Sequence, residues 1–274
     1  MLIMQKYARL WIDYHQKNNN RDCKYLQRIR IPGADEKNDI IRNALWELKE
    51  GLKRMLALDP VILPGTFDAP IVTDTDSMRS SETYEISLGE EGLLIRAFGA
   101  SGVLYAVFDI LRTISCEQKV EEAYASPRPV VPSNQLRMLN HWDNLDGSIE
   151  RGYSGDSFFF RENEIIIDER TKDYARLIAS VGINAVVINN VNVKDAASYL
   201  ITDRYFDKLS ELGRVFAGYG ISLFISLNYA SPVEIGGLDS ADPLDERVKA
   251  WWRIKAAEVF RRVPTLKGFL VKAD

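Results

Sequence analysis

Residues 168–192 read DERTKDYARLIASVGINAVVINNVN, and this stretch decides the fold class. Apolar residues in its first half recur three and four positions apart, which is the spacing of one face of an α-helix. The residues on that face are Tyr174, Leu177, Ile178 and Val181. The second half contains AVVI, a short run rich in β-branched residues that is typical of a strand buried on both faces. An amphipathic helix that leads directly into such a strand indicates a parallel sheet with helical crossovers.

The same alternation of strand and helix extends over residues 136–274. Short apolar runs predict strands at 136–139, 185–188, 221–227 and 268–271. Helical periodicity predicts helices at 168–181, 203–219 and 248–263. In the first of these strands, Leu136, Met138 and Leu139 are expected to be buried. This part of the chain is therefore predicted to be α/β.

Two architectures fit this alternation, a doubly wound open sheet and a (β/α)8 TIM barrel. An open sheet usually has a glycine-rich phosphate turn after a strand, and none of these strands is followed by one. A barrel builds its site from the carboxyl ends of several strands. The strands here run into the polar segments NHWDN, NNVN, NYAS and KAD. These strand ends favour the barrel, with about four of its roughly eight βα units present. The sequence therefore predicts a truncated barrel, either a fragment or an early-terminated gene product of a longer enzyme.

Residues 1–125 have a different pattern, with short strands mixed among two amphipathic helices. Strands are predicted at 8–14, 61–63, 71–73, 84–88 and 93–97, and helices at 41–55 and 103–111. We predict a small α+β amino-terminal domain here. Residues 126–135 contain Pro127, Pro129 and Pro132, which predict a proline-rich connector between this domain and a partial TIM-barrel domain at 136–274.

Composition excludes several classes of protein. The chain of 274 residues is 46% hydrophobic and 27% charged, with a net charge of -4 and no basic block. Nucleic acid and anionic membranes are therefore poor partners. No apolar run is long enough to span a bilayer, and the amino terminus lacks the apolar core of a signal peptide, which predicts a cytoplasmic protein. The two histidines and two cysteines form no metal motif, and a disulfide between Cys23 and Cys116 stays open.

The candidate site residues lie at the predicted strand ends. The indole of Trp142 can cover the apolar face of a sugar while His141 and Asp143 bond its hydroxyls. Alternatively, Trp142 is a core residue and His141 a hydrogen-bonded turn residue. The amide of Asn190 can bond hydroxyls or close a turn. Lys272, directly after the strand GFLV, either pairs with an anionic substrate group or is a solvated strand-end residue.

Three segments share a resemblance to one enzyme family. RMLNHWDNLDGSIERGYSG at 137–155 closely resembles the start of the catalytic barrel in the α-glucuronidases of glycoside hydrolase family 67. NNVN at 189–192 and GFLVKAD at 268–274 are similar to the next landmarks of that family, in the same order. GVLYAVFDILR at 102–112, with the proline connector after it, is similar to the family's amino-terminal domain.

The resemblance implies an activity and a substrate. The family removes glucuronic acid, usually 4-O-methylated, from the non-reducing end of xylo-oligosaccharides with inversion, which uses one carboxylic acid and one carboxylate base. The expected partner is therefore a glucuronic-acid-decorated xylo-oligosaccharide, and no cofactor is expected. A homo-oligomer is expected only for the full-length protein.

The resemblance also implies roles for individual residues. Trp142 corresponds to a sugar platform, Val191 to an apolar contact in the same pocket, and Lys272 to a contact with the uronate. The family's general-acid glutamate follows the VKAD-like strand end within a few residues, and the base carboxylates lie further on. No catalytic residue is therefore assigned in this sequence, and the fragment itself is expected to be inactive.

Two other hypotheses stay open at this point. One is a non-catalytic carbohydrate-binding or structural protein that has kept one wall of the pocket. The other is a different two-domain glycoside hydrolase, such as a hexosaminidase-like enzyme. The first would lack the downstream glutamate in its gene. The second would release N-acetylhexosamine instead of a uronic acid.

Overall fold

The structure is a computed structural model that describes residues 12–65, 81–152, 155–193 and 195–272. It shows a mixed α/β fold with parallel strands. The chain divides into two compact units, which we describe separately. The first comprises residues 1–135, 176–182 and 218–220, and the second comprises residues 136–175, 183–217 and 221–274.

A four-stranded sheet forms the base of the first unit, in the order β2-β1-β4-β3. Its strands are β1 (Arg28–Pro32), β2 (Val61–Gly65), β3 (Tyr84–Gly89) and β4 (Gly92–Ala97). β1 pairs in parallel with both β2 and β4, and β3 pairs antiparallel with β4. Strands β2, β3 and β4 confirm three of the predicted strands. The pattern did not predict β1, because its two buried isoleucines, Ile29 and Ile31, stand between arginines and before a proline.

Two long helices cover the first unit, α1 (Asp39–Leu56) and α2 (Ala100–Ser115), followed by the single turn α3 (Val120–Ala123). Both long helices were predicted, and they pack against each other. Gly51 permits the close approach, because a Cβ at this position would lie 2.5 Å from Cδ2 of Leu111. Leu48 and Leu52 of α1 and Leu104 of α2 are fully buried in this core.

The amino-terminal cap of α1 provides a test of the first unit. The Asn38 side chain accepts hydrogen bonds from the backbone N–H of Ile40 at 2.9 Å and of Ile41 at 3.4 Å. Asn38→Ala is expected to destabilise the protein by about 1 kcal/mol, because these donors lose their acceptor. Thermal unfolding followed by circular dichroism measures the change. Asn38→Asp is the matched control and should unfold within error of wild type, and equal losses for both variants would contradict the capping role.

The remaining predictions for the first unit concern the strands at 8–14 and 71–73, the proline connector and the two cysteines. Of the predicted strand at 8–14, only residues 12–14 are described and they are not a strand, while the predicted strand at 71–73 lies outside the described residues. In the proline connector, Val130 exchanges backbone hydrogen bonds of 2.7 and 3.2 Å with Tyr84 at the start of β3. Cys23 is buried, Cys116 is exposed, and both are free thiols. The predicted domain boundaries stay predictions.

The second unit alternates strands and helices. Its elements in chain order are β5 (Met138–Asn140), β6 (Phe160–Arg161), β7 (Glu164–Ile165), α4 (Glu169–Ser180), β8 (Ala185–Ile188), α5 (Asp203–Ala217), β9 (Ser222–Leu227), α6 (Ser231–Glu234), α7 (Glu246–Arg262) and β10 (Leu266–Val271). Residues 176–180 at the end of α4 are grouped with the first unit. β6 and β7 form a small antiparallel hairpin. Short 3-10 helices occupy Glu150–Gly152 and Asp195–Ile201 within this unit.

The main sheet of the second unit has four parallel strands in the order β5-β8-β9-β10. The spatial order therefore follows the chain order, with helices on the connections. All four predicted strands and all three predicted helices are confirmed, with bounds that differ by no more than two residues. β8 is buried along its whole length, as its AVVI sequence predicted. The strands form an open sheet in this structure, and the barrel stays a prediction.

The predicted burial around the first of these strands was wrong. Leu136 lies before β5 and is 58% exposed, while Met138 and Leu139 are only half-buried. The reason is that β5 is an edge strand of the described sheet, with a neighbour on one side only. In the part of the chain that the structure describes, no helix combines the length and apolar character needed to cross a membrane.

Candidate functional site

Polar segments at the carboxyl ends of β5 and β8 are joined through their backbones. The N–H of His141 donates to the carbonyl of Val187 at 2.9 Å, which extends the parallel ladder beyond the end of β5. The N–H of Asn190 then donates to the carbonyl of Asp143 at 2.8 Å. These bonds hold the two polar strand ends side by side. The parallel sheet thus assembles a site from segments that are distant in sequence.

The end of β8 turns sharply at Asn189. This residue has φ 73°, in the left-handed region, which asparagine tolerates better than most residues. The hydroxyl of Ser226 in β9 donates to its carbonyl at 2.9 Å and fixes the turn. Asn189 and Asn190 are both 1% exposed. The turn therefore directs the Asn190 amide into the protein, where it needs polar partners.

His141 is packed inside an aromatic cluster. Its Nε2 lies 2.7 Å from the hydroxyl of Tyr174, and its ring meets Phe159 edge-on at a centroid distance of 4.8 Å. Its Nδ1 lies 3.9 Å from Oδ1 of Asp143. Burial lowers the pKa of His141 below its ordinary value, and the nearby carboxylate of Asp143 opposes this shift. Burial therefore favours the neutral imidazole, which is held by Tyr174 and packs against Phe159.

Asp143 is buried, with 5% of its surface exposed. Its Oδ2 accepts hydrogen bonds from the Ser157 hydroxyl and the Phe158 N–H, both at 2.6 Å, and from the Phe159 N–H at 3.3 Å. Three donors from one loop therefore satisfy this carboxylate. In this geometry Asp143 holds residues 157–159 in place. Its contact with a sugar hydroxyl stays a prediction.

A hydrogen-bonded network links three strand ends. Asn190 Nδ2 donates to Asn144 Oδ1 at 2.9 Å and also to Oε2 of Glu150. Asn192 Nδ2 donates to Oε1 of Glu150 at 2.8 Å, and Lys272 Nζ donates to Asn192 Oδ1 at 3.0 Å. Both carboxylate oxygens of Glu150 are thus bound by asparagine amides. Sequence reasoning missed Glu150, because a single carboxylate in a polar loop carries no distinctive signal.

Trp142 presents an aromatic face at the same edge of the sheet. It is 36% exposed, and the guanidinium of Arg151 lies 5.9 Å from its ring centroid. Arg151 has φ 59°, so the backbone turns between Glu150 and Arg151. Glu150 faces the asparagines and Arg151 faces the indole. Val191 is half-buried in the segment that follows β8.

The structure places all six predicted binding residues at the carboxyl ends of β5, β8 and β10. They are His141, Trp142, Asp143, Asn190, Val191 and Lys272. The edge offers an exposed indole, an ammonium group and several amides, a set that suits a polyhydroxylated anion. Whether each side chain contacts a ligand stays a prediction. Within the described ranges, no three His, Cys, Asp or Glu side chains are grouped to hold a metal ion.

Comparison with models of protein families shows the family to which this chain belongs. The family model for the glycosyl hydrolase family 67 middle domain matches residues 116–274. The chain belongs to glycoside hydrolase family 67. This family 67 match includes β5, β8, β9 and β10 and every residue of the candidate site. The resemblance seen in the sequence is thereby confirmed.

Curated relatives of this family 67 chain are α-glucuronidases from fungi. It is 33% identical over 291 residues to alpha-glucuronidase A of Emericella nidulans, an alignment covering 96% of this chain and 33% of that protein. It is 40% identical over 281 residues to the probable alpha-glucuronidase A of Aspergillus fumigatus, covering 96% of this chain and 33% of the relative. The chain thus spans about a third of the length of these relatives.

Solved structures of glycoside hydrolases share the fold of this family 67 chain. A GH138 enzyme targeting pectin rhamnogalacturonan II superposes with a TM-score of 0.56 at 16% identity, covering 89% of this chain and 30% of that chain. A GH115 4-O-methyl-alpha-glucuronidase with specificity for decorated arabinogalactans superposes with a TM-score of 0.53 at 13% identity, covering 88% of this chain and 34% of that chain. At these identities the likeness concerns the fold alone.

Proposed function

We propose that this chain is part of an inverting α-glucuronidase. The enzyme hydrolyses the α-1,2 bond that joins glucuronic acid or its 4-O-methyl derivative to a xylo-oligosaccharide. The observation that carries the proposal is the exposed Trp142 and the cationic Lys272 at one edge of a parallel sheet, within the residues matched by the family 67 middle domain. An indole covers the apolar face of a sugar ring, and an ammonium pairs with a carboxylate.

The second unit fits the first four βα units of a (β/α)8 barrel. In a barrel, sequential parallel strands are neighbours, as β5, β8, β9 and β10 are here. Among the described residues, β5 and β10 are the sheet edges, where further strands would add. Two apolar side chains on the last elements of this unit are exposed, Val271 of β10 at 51% and Ile254 of α7 at 71%. Further βα units packed beside β10 would bury such side chains, so their exposure supports the proposed barrel.

The proposed division of roles follows from exposure, because Trp142 and Lys272 are exposed whereas Asp143 is buried and His141 is packed in the aromatic cluster. Trp142, Lys272 and Val191 are proposed to contact the uronic acid. His141 and Asp143 are engaged with Tyr174 and with donors of one loop, so they are proposed to hold the Trp142 segment in place. Their sugar contacts would require these bonds to be exchanged.

The carboxylates that perform the hydrolysis are proposed to lie outside residues 1–274. Inversion requires an acid that protonates the leaving oxygen and a base that activates water on the opposite face of the sugar. Asp143 and Glu150, whose carboxylates lie at the candidate edge, are both bound by donors of the protein. Neither is assigned a catalytic role.

Release of glucuronic acid tests this proposal directly. A full-length protein that carries this chain is expected to liberate glucuronic acid from an aldouronic acid, whereas purified residues 1–274 are expected to match a blank. The reason is that loss of both general acid and base removes the chemistry itself. N-acetylhexosaminide substrates serve as the control for another hydrolase class. No uronic acid release by the full-length protein would refute the function, and release by residues 1–274 would refute the placement of the carboxylates.

A further inference from the structure

Glu150 is the centre of a network that the proposed substrate contacts do not explain. It lies in the 3-10 turn Glu150–Gly152, ten residues past β5. Its two carboxylate oxygens accept from the amides of Asn190 and Asn192 in the segment after β8. Asn190 is 1% exposed, so this side of the network is closed to solvent. Such a carboxylate has its orientation fixed by the protein.

The network gives the Asn192 amide a defined direction. An asparagine amide has one donating and one accepting end. Since Nδ2 of Asn192 donates to Glu150 at 2.8 Å, its Oδ1 is directed away from the carboxylate, and it accepts from Lys272 Nζ at 3.0 Å. If the amide rotated by 180°, its NH2 group would face the ammonium of Lys272. Glu150 therefore determines which end of Asn192 meets Lys272.

We propose that Glu150 is a positioning residue, which acts through Asn192 to hold Lys272 where it recognises the carboxylate of the sugar. The inference rests on the proposed function, because Lys272 is the uronate contact there. Glu150 itself touches no reacting atom in this scheme. The glutamate and the lysine come from the ends of different strands, so the asparagine is the link between them.

A purely electrostatic role for Glu150 gives the opposite sign. A carboxylate near Lys272 reduces the positive potential that attracts a uronate. If charge alone mattered, Glu150→Gln would improve recognition of the uronate. If positioning matters, the same variant worsens it, because the NH2 group of glutamine opposes the Asn190 or Asn192 amide and lets Asn192 rotate. The direction of the change therefore separates the two roles.

The experiment uses the full-length protein with Glu150→Gln. We expect kcat/KM on an aldouronic acid to fall by about tenfold, mainly through KM, on the scale at which members of one network couple. Binding of the neutral glucose counterpart, measured by calorimetry, should stay within about twofold of wild type. Glu164→Gln is the matched control, because Glu164 is exposed and pairs with Arg204 at 3.3 Å outside this network. That variant should behave as wild type.

A double-variant cycle identifies the route. Glu150→Gln in a Lys272→Ala background should cause no further loss on the uronate substrate, since the lysine it positions is gone. Asn192→Ala reaches the same lysine without changing Glu150 and should reproduce the uronate-selective loss, which keeps the test valid if Glu150→Gln folds poorly. Additive losses, equal losses on both ligands or improved turnover would overturn the inference alone. An inactive wild-type protein would overturn the proposed function together with it.

Discussion

Lys272→Ala is expected to lower kcat/KM on a glucuronate substrate by about 10- to 150-fold in the full-length protein. The loss corresponds to about 1.5–3 kcal/mol, the contribution of a hydrogen bond to a charged group. Binding of the neutral glucose counterpart should change little, because that ligand has no carboxylate for the ammonium to meet. The lysine follows β10 and its Nζ donates to Asn192 in the structure, so its charge is already directed across the strand ends.

The effect of Lys272→Ala is interpreted by comparison with the variant Trp142→Ala. The indole is proposed to cover an apolar sugar face, so its loss should weaken uronic and neutral ligands alike. Both variants are measured by steady-state kinetics on the aldouronic acid and by calorimetry with the neutral counterpart, with thermal unfolding checked in each. If Lys272→Ala retains glucuronate turnover within about twofold of wild type, the lysine is a solvated strand-end residue. The proposed uronate side of the pocket would then be wrong.

Asp143→Ala is expected to destabilise the second unit by roughly 3–5 kcal/mol. The carboxylate is 5% exposed and accepts from the Ser157 hydroxyl and the N–H groups of Phe158 and Phe159. Each hydrogen bond to a charged group contributes about 1.5–3 kcal/mol, and the donors left behind are costly to bury. Urea unfolding followed by the fluorescence of Trp142 and the other tryptophans measures the loss.

A control for this variant is available in the same loop. Asp146 is exposed and accepts only from the N–H and hydroxyl of Ser148, at 2.8 and 2.7 Å, bonds that keep its pKa below the ordinary value. Asp146→Ala should therefore cost at most about 1 kcal/mol, as is usual for exposed groups. Equal effects of the two substitutions would show that the Asp143 hydrogen bonds contribute little. Asp143 would then be free to serve as the predicted sugar contact.

Much of the second unit could be predicted from the sequence because its signals are local. Helix periodicity and the β-branched run at 185–188 depend on neighbours within a few residues, and the predicted strands and helices agree with the structure. The polar segments after β5, β8 and β10 also stand directly after apolar runs. A parallel sheet brings such ends to one edge, so Trp142, Asn190 and Lys272 could be chosen without coordinates.

The tertiary structure alone decided features that depend on distant pairings. β1 is central in its sheet because β2 pairs with one of its edges and β4 with the other. The sequence RIRIP contains no signal for either pairing. Asp143 stands among polar residues, which is typical of an exposed loop, yet it is buried and accepts hydrogen bonds from Ser157 and Phe159. Glu150 becomes the centre of a network because the fold places it against Asn190 and Asn192, 40 and 42 positions away. The sequence by itself determined which elements form and which strand ends are polar, because both follow from short-range patterns. Which polar group meets which was decided by packing, since a hydrogen bond depends on positions that only the complete fold defines.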